Sequence, residues 1–362
     1  MLYLPHLDIW ATIFDFLLPV DLIHFGQISQ TARKAVTNYN RLAFDIIRLL
    51  SPYFSDEEIK SFRQLQLFTG TVISGSTAVQ LFGRTTYPKS DLDIYVEHRY
   101  CRDVAWWLTS VGYKYNPTRR GQPISFIEAF KASKTEEGAE EEQSEQSEYA
   151  LGVENVFDFV RAGSERKVQL ISATCCPMEV ILNYHSTCVM NVITHNMAYS
   201  LFPYATFQQH RALVCGPSGE KRSWAHEKYR ERGWEVEPYI DIDEMMSIRS
   251  DFIFGRRWVG DGRCWMIPLQ PYLSEYAETE GVVRDRITSN SWMIVHPNQA
   301  NSEMFFISTP PRQEFCLRFR YLCADSIIFD AFSALVKTNG FDDDDLVAQM
   351  QIVASKYGRN GR

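Results

Sequence analysis

The chain has 362 residues, a formal net charge of -8 and a pI of about 5.6, which argue against the basic footprint of a protein that grips nucleic-acid phosphates. With 45% hydrophobic and 14% aromatic residues it can bury cores, and its length predicts two or three domains. No uninterrupted apolar run reaches the roughly 18 residues of a bilayer span, and Asp8 and Asp15 interrupt the stretch from Leu7 to Leu18, so an intracellular protein of cytoplasm or nucleus is expected, with no signal peptide and no membrane partner.

Residues 4 to 45 predict three short helices, with Pro19, Asp21 and Ser29 supplying the breaks and caps between them. The order of residues in LPHLDIWATIFDFLLPVDLIHFGQISQTARKAV resembles an F-box: a Leu-Pro start, a hydrophobic pair near the first helix end, an Asp-Leu opening the next helix and an Arg before the last. The resemblance rests on Leu4, Pro5, Ile13, Leu17, Asp21 and Leu22, and departs from the family at His6, where an acidic residue is usual. It implies docking to the adaptor subunit of a cullin-type ubiquitin ligase, through Leu4, Pro5, Ile13 and Leu17. The alternative is a helical cap packed on the next domain.

Residues 68 to 75 predict a strand running into Ser74-Gly75-Ser76, then a short helix closed by Gly83. From Asp91 to Val96 the sequence alternates, so Asp91, Asp93 and Tyr95 share one face of a strand and Leu92, Ile94 and Val96 the other. A helix is expected over 103–112. The segment 133–148, SKTEEGAEEEQSEQSE, is acidic and nearly without apolar residues, which predicts a disordered insertion. Residues 153–173 predict a hairpin whose turn around Gly163 and Ser164 sets Asp158 opposite Gln169.

After Pro177 a helix is expected to about Tyr199, carrying His185 and His195, and a further helix over about 222–232. Residues 251 to 325 contain aromatic, strand-like pieces, and the Asp342 to Asp345 run is expected to start a final helix from Leu346 to about Tyr357. The eight cysteines form no CxxC pair and no zinc spacing, which predicts reduced thiols.

A phosphoryl-transfer site needs backbone N–H groups at the phosphates and oxygen ligands for Mg²⁺. A Gly-Ser turn opening a helix can supply the first and an Asp-x-Asp strand the second. In the order strand, Gly-Ser, short helix, Asp-x-Asp strand, helix, hairpin, the segment resembles the nucleotidyltransferase superfamily that includes DNA polymerase β and CCA-adding enzymes, and the stretch SGSTAVQLFGR is similar to the CCA-adding type in the spacing from its glycine to Gly83-Arg84. That resemblance implies Gly75 and Ser76 on a nucleoside triphosphate, Asp91 and Asp93 on Mg²⁺, and Arg84 or Lys89 neutralising phosphate charge. The family's third carboxylate falls at Gln169, which brings no charge. Asp158 across the hairpin is the candidate replacement, completing a catalytic and metal set of Asp91, Asp93, Asp158 and Gln169.

The expected architecture is α+β: an F-box-like segment at 1–45, a nucleotidyltransferase-like mixed sheet at 46–175 with the insertion at 133–148, a helical segment at 176–235, and a β-rich region with a terminal helix at 236–362. The expected function is Mg²⁺-dependent transfer of a nucleoside monophosphate to an unknown acceptor. The alternative is a catalytically inactive module in an F-box-type adaptor protein.

Overall fold

The computed structural model describes residues 7–88, 90–118, 121–132, 152–216, 220–271, 285–295, 306–308, 347–349 and 351–352. Leu4, Pro5, Lys89 and the acidic segment 133–148 lie outside them, as does most of the expected terminal helix; 347–349 and 351–352 are helical. The architecture is mixed α+β around one large mixed sheet. Among the described residues no helix is long and apolar enough to cross a membrane.

Three helices open the chain: α1 (Leu7–Asp15), α2 (Pro19–Ile28) and α3 (Gln30–Ala43). Pro19 starts α2, where its missing N–H costs nothing, and the Ser29 hydroxyl accepts the Ala32 N–H to cap α3. They bury a small core of Phe14, Leu22, Val36 and Tyr39. Helices α4 (Ile46–Leu50) and α5 (Asp56–Thr69) follow. Ser55 and Glu58 form a reciprocal capping box at the start of α5, and Gly70, at φ +69°, ends it. Phe68 and Thr69 therefore belong to α5 rather than to the expected strand, which is confined to β1 (Val72–Ser74).

The sheet then builds through α6 (Gly75–Gly83), β2 (Leu92–Glu97), α7 (Cys101–Ser110), β3 (Tyr113–Tyr115), α8 (Phe126–Ala132), β4 (Val153–Arg161) and β5 (Lys167–Ala173). Leu92, Ile94 and Val96 are fully buried among Phe157, Phe159, Val168, Leu170 and the apolar residues of α6 and α7. The opposite face carries Val72, Tyr95, Val156 and Ile171. Alternation along β2 thus places two apolar sets on two faces.

The helix expected from Pro177 to Tyr199 is not observed. Helix α9 (Pro177–Leu182) ends after six residues, and the chain instead forms β6 (Asn191–Ile193) and β7 (Met197–Ser200). Val192, Ile193 and Thr194 are β-branched, and β6 pairs with β1, whose backbone groups would otherwise lack partners on that side. Strands β8 (Arg211–Leu213) and β9 (Glu235–Glu237) form a separate parallel pair flanking α10 (Glu220–Glu231).

Helix α11 (Ile242–Met246) and β10 (Arg257–Trp258) lead to β11 (Trp265–Pro268), which pairs with β7. The eight strands run in the order β11-β7-β6-β1-β2-β5-β4-β3, so the sheet continues through the boundaries expected near 175 and 235. Strand β12 (Ser291–Val295) pairs with β10 on one side and β13 (Phe306–Ser308) on the other, in a smaller sheet.

Candidate functional site

Register brings the acidic residues together. Strand β2 is parallel to β5 with Asp93 opposite Gln169, and β5 is antiparallel to β4 with Gln169 opposite Asp158. On its other side β2 pairs with β1, setting Ser74 beside Asp93. Ser74, Asp93, Gln169 and Asp158 therefore form one row across four strands. Asp91 and Lys167 each lie two residues upstream of this row, on the same faces as Asp93 and Gln169.

The chain passes directly from Ser74 into α6, a helix with no side-chain cap at its N-terminus, so its first N–H groups remain available to an anion. Gly75 sits at φ +64°, and a Cβ there would meet Asp93 Oδ2 at 2.6 Å. A side chain at this position is thus incompatible with the carboxylate's place, and the backbone of α6 and Asp93 are in close approach. The Ser76 hydroxyl lies 2.6 Å from that of Ser90, which leaves the Ser76 backbone as its contribution to any ligand.

A cleft of about 640 Å³ opens in front of Asp91 and Asp93. Its walls include Ser76, Gln169 and Tyr87, and across it stand Trp224, Lys228 and Arg232. These last three are four residues apart, on one face of α10 and just past its end. Arg232 stacks on Tyr87, its Cζ 3.8 Å from the ring centroid, and its buried Nη1 has no hydrogen-bond partner. Trp224 is 68% exposed, with Lys228 Nζ 5.4 Å from its ring centroid. The α10 residues carried no family motif; the spacing of an aromatic and two cations along one helix face was the available sequence signal.

Electrostatics follow from this placement. Burial, reinforced by the negative charge of Asp91, raises the Asp93 carboxyl to about 7, with Lys228 and Lys167 acting against the rise. Burial and Arg232 lower the Lys228 ammonium from its ordinary value, with Asp93 and Asp91 opposing. Among the described residues no side chain donates a hydrogen bond to Asp93. A cation beside Asp91 and Asp93, and an anion beside Lys228 and Arg232, would each relieve an unfavourable burial.

Asp158 is differently placed. Its side chain is 5% exposed; Oδ1 accepts from Gln169 Nε2 at 2.8 Å and Oδ2 accepts from the Thr118 hydroxyl. Lys167 Nζ lies 3.4 Å from Asp158 Oδ1 and 3.3 Å from Asp91 Oδ2. The hairpin register brings Asp158 beside the Asp pair, and lysine, glutamine and threonine already satisfy it. No group of three or more metal-ligating side chains comes together among the described residues. Asp91 and Asp93 both line the cleft and could hold a cation there, whereas Asp158, already bonded, is not a free ligand beside them.

Several expected residues lie elsewhere. Arg84 is at the far end of α6, where Nη1 donates to Phe14 O at 3.0 Å and to the Tyr39 hydroxyl, and Nη2 donates to Leu17 O at 2.8 Å. Its charge anchors the N-terminal helices and is not in the cleft. His185 and His195 are in loops, not on a helix. Burial pushes His185 down to about 3, and its Nδ1 meets the Ser186 hydroxyl at 2.8 Å. His195, in the turn between β6 and β7, lies 3.7 Å from Asp285 and does not line the cleft. Leu17 is partly buried, whereas Ile9 and Ile13, one turn apart on α1, and Phe16 just past its end are 50%, 44% and 86% exposed. The six described cysteines are free thiols. Comparisons with family models, curated proteins and solved structures gave no match.

Proposed function

We propose that this chain is a nucleotidyltransferase-like module that binds a nucleoside triphosphate with Mg²⁺ in the cleft between β2 and α10. One observation carries the reading: two carboxylates, Asp91 and Asp93, face two cations, Lys228 and Arg232, across a cleft of about 640 Å³, within the usual range for small-molecule sites. The order of Gly-Ser turn, Asp-x-Asp strand and hairpin supports it independently.

In this reading Asp91 and Asp93 hold Mg²⁺, which would neutralise phosphate charge. The N-terminus of α6 at Gly75 and Ser76 takes phosphate oxygens, Lys228 and Arg232 neutralise the remainder, and Trp224 offers its exposed ring to the base. Transfer of the nucleoside monophosphate to an acceptor additionally needs a group that receives the acceptor's proton. Asp158 is the nearby carboxylate for that role, once freed of Lys167.

A second reading draws on a different observation. The satisfied Asp158, together with the exposed Ile9, Ile13 and Phe16 and the anchoring of the first three helices by Arg84, favours a binding module without transfer chemistry, held in an adaptor of the F-box type. Thermal melts of the whole chain with Mg²⁺ and each nucleoside triphosphate test the shared claim. A triphosphate at 100 times its Kd is expected to stabilise by about 2.7 kcal/mol, and Asp93→Asn to remove the shift. If no triphosphate moves the parent melt, nucleotide binding is wrong. Label transfer to any acceptor then separates transferase from binding module.

A further inference from the structure

We propose that Lys167 is a tethered cation standing in for a second metal ion, so that the cleft takes one divalent ion per nucleotide instead of two. The inference rests on the nucleotide reading above and adds to it the metal stoichiometry of the site.

Strand β5 lies between β2 and β4, and the acidic residues are on the outer two strands while β5 presents Lys167 and Gln169. Across the row the sequence of groups is carboxylate, amide, carboxylate at Asp93, Gln169 and Asp158. One step upstream Lys167 reaches both strands, its Nζ 3.3 Å from Asp91 Oδ2 and 3.4 Å from Asp158 Oδ1. An ion bridging those two aspartates would have to occupy the volume that the ammonium fills.

Both separations are ion-pair distances, 3.3 and 3.4 Å. Each Asp158 oxygen accepts one hydrogen bond, from Gln169 or Thr118, and keeps a second lone pair; it is the ammonium of Lys167, between Asp158 Oδ1 and Asp91 Oδ2, that must be removed before the two aspartates can share an ion. Asp93, by contrast, has Gly75 on one side and the open cleft on the other, leaving it with Asp91 to hold a single ion beside the phosphates.

The test counts bound Mn²⁺ by electron paramagnetic resonance on the full chain, with and without a non-hydrolysable triphosphate. Parent and Lys167→Arg are expected to bind one ion per chain with the triphosphate, and Lys167→Met two. With Mn²⁺ alone, Lys167→Met is expected to bind at least tenfold more tightly than the parent, an arm that needs no nucleotide. Two ions on the parent would overturn the inference, as would a folded Lys167→Met that gains neither an ion nor affinity. Lys167→Gln, which keeps a polar group in place, is the second variant should Lys167→Met fail to fold, with the same expectation. Failure of the parent to bind triphosphate while Lys167→Met still gains Mn²⁺ affinity would instead remove the nucleotide reading and leave the tethered cation standing.

Discussion

Gln169 and Asp158 are direct partners in the β4–β5 ladder, and the Gln169 amide donates to the Asp158 carboxylate at 2.8 Å. The glutamine found where the sequence reading expects a third carboxylate and the aspartate expected to replace it are thus bonded to each other. A carboxylate in place of Gln169 would stand between Asp93 and Asp158 with no donor to offer either.

Gln169→Asp is accordingly expected to cost about 1–3 kcal/mol in a chelator, because Asp158 loses a buried hydrogen-bond donor and gains a like charge. Mg²⁺ is expected to restore part of this loss. Urea unfolding of parent and variant, each with chelator and with Mg²⁺, measures it; equal stability of the variant in both conditions would show that the row does not bind metal.

The Asp93 carboxyl gives a pH dependence. Its folded value, about 7, lies above the ordinary 3.8, so between these limits the folded chain binds more protons than the unfolded one and this group's contribution to stability falls as pH rises. Metal binding requires the ionised form, so Mn²⁺ affinity is expected to rise about tenfold between pH 6 and 8 and to level off above. Titration calorimetry at three pH values checks this, with Asp93→Asn as the flat control.

Arg84→Lys is expected to loosen the first three helices without altering the cleft. A guanidinium reaches Phe14 O, Leu17 O and the Tyr39 hydroxyl together, whereas an ammonium has no planar fork to match them. Each lost bond to a charged group is worth about 1.5–3 kcal/mol. Hydrogen exchange is expected to accelerate over residues 7–43 while triphosphate binding stays unchanged.

Arg232→Ala and Trp224→Ala address the far wall. Loss of the Arg232 guanidinium, which lines the cleft and whose buried Nη1 has no hydrogen-bond partner, is expected to weaken triphosphate binding about tenfold or more, and to weaken a nucleoside without phosphates far less. Trp224→Ala is expected to weaken both alike. Fluorescence titration of the two ligands distinguishes them.

Ile13→Asp with Phe16→Asp probes the N-terminal helices. Both side chains are exposed, so the melt is expected to move little, while capture of the purified ubiquitin-ligase adaptor by the full chain is lost. An unchanged capture would sink the proposed docking face.

Much of the local structure was legible in the sequence because it depends on near neighbours. The cap at Ser29 and the close of α6 at Gly83 act within a few residues, and the period of two from Asp91 to Val96 fixes which side chains share a face whatever the rest of the chain does. The cap at Ser55 and the stop at Gly70 were not legible, and 68–75 reads as strand in the sequence. The hairpin count was legible for the same reason: turn length sets register, and register sets Asp158 against Gln169. The run after Pro177 was not, since its apolar residues suit helix or strand, and pairing of β6 with β1 decided for strand.

The contents of the site needed the tertiary structure. Lys167 is a strand-start lysine in sequence, and only the parallel placement of β5 beside β2 brings its ammonium to Asp91 as well as Asp158. Arg84 follows the Gly-Ser helix by less than ten residues, yet nine residues of α6 carry it to the opposite end, onto carbonyls of α1 and its following turn. Trp224, Lys228 and Arg232 lie more than 130 residues after Asp91 in the chain. Sequence fixes the chemistry and spacing of such groups along one element, because backbone geometry is local; which element faces which is decided by burial of apolar faces and strand pairing across the whole chain, and that is what set two cations opposite two aspartates here.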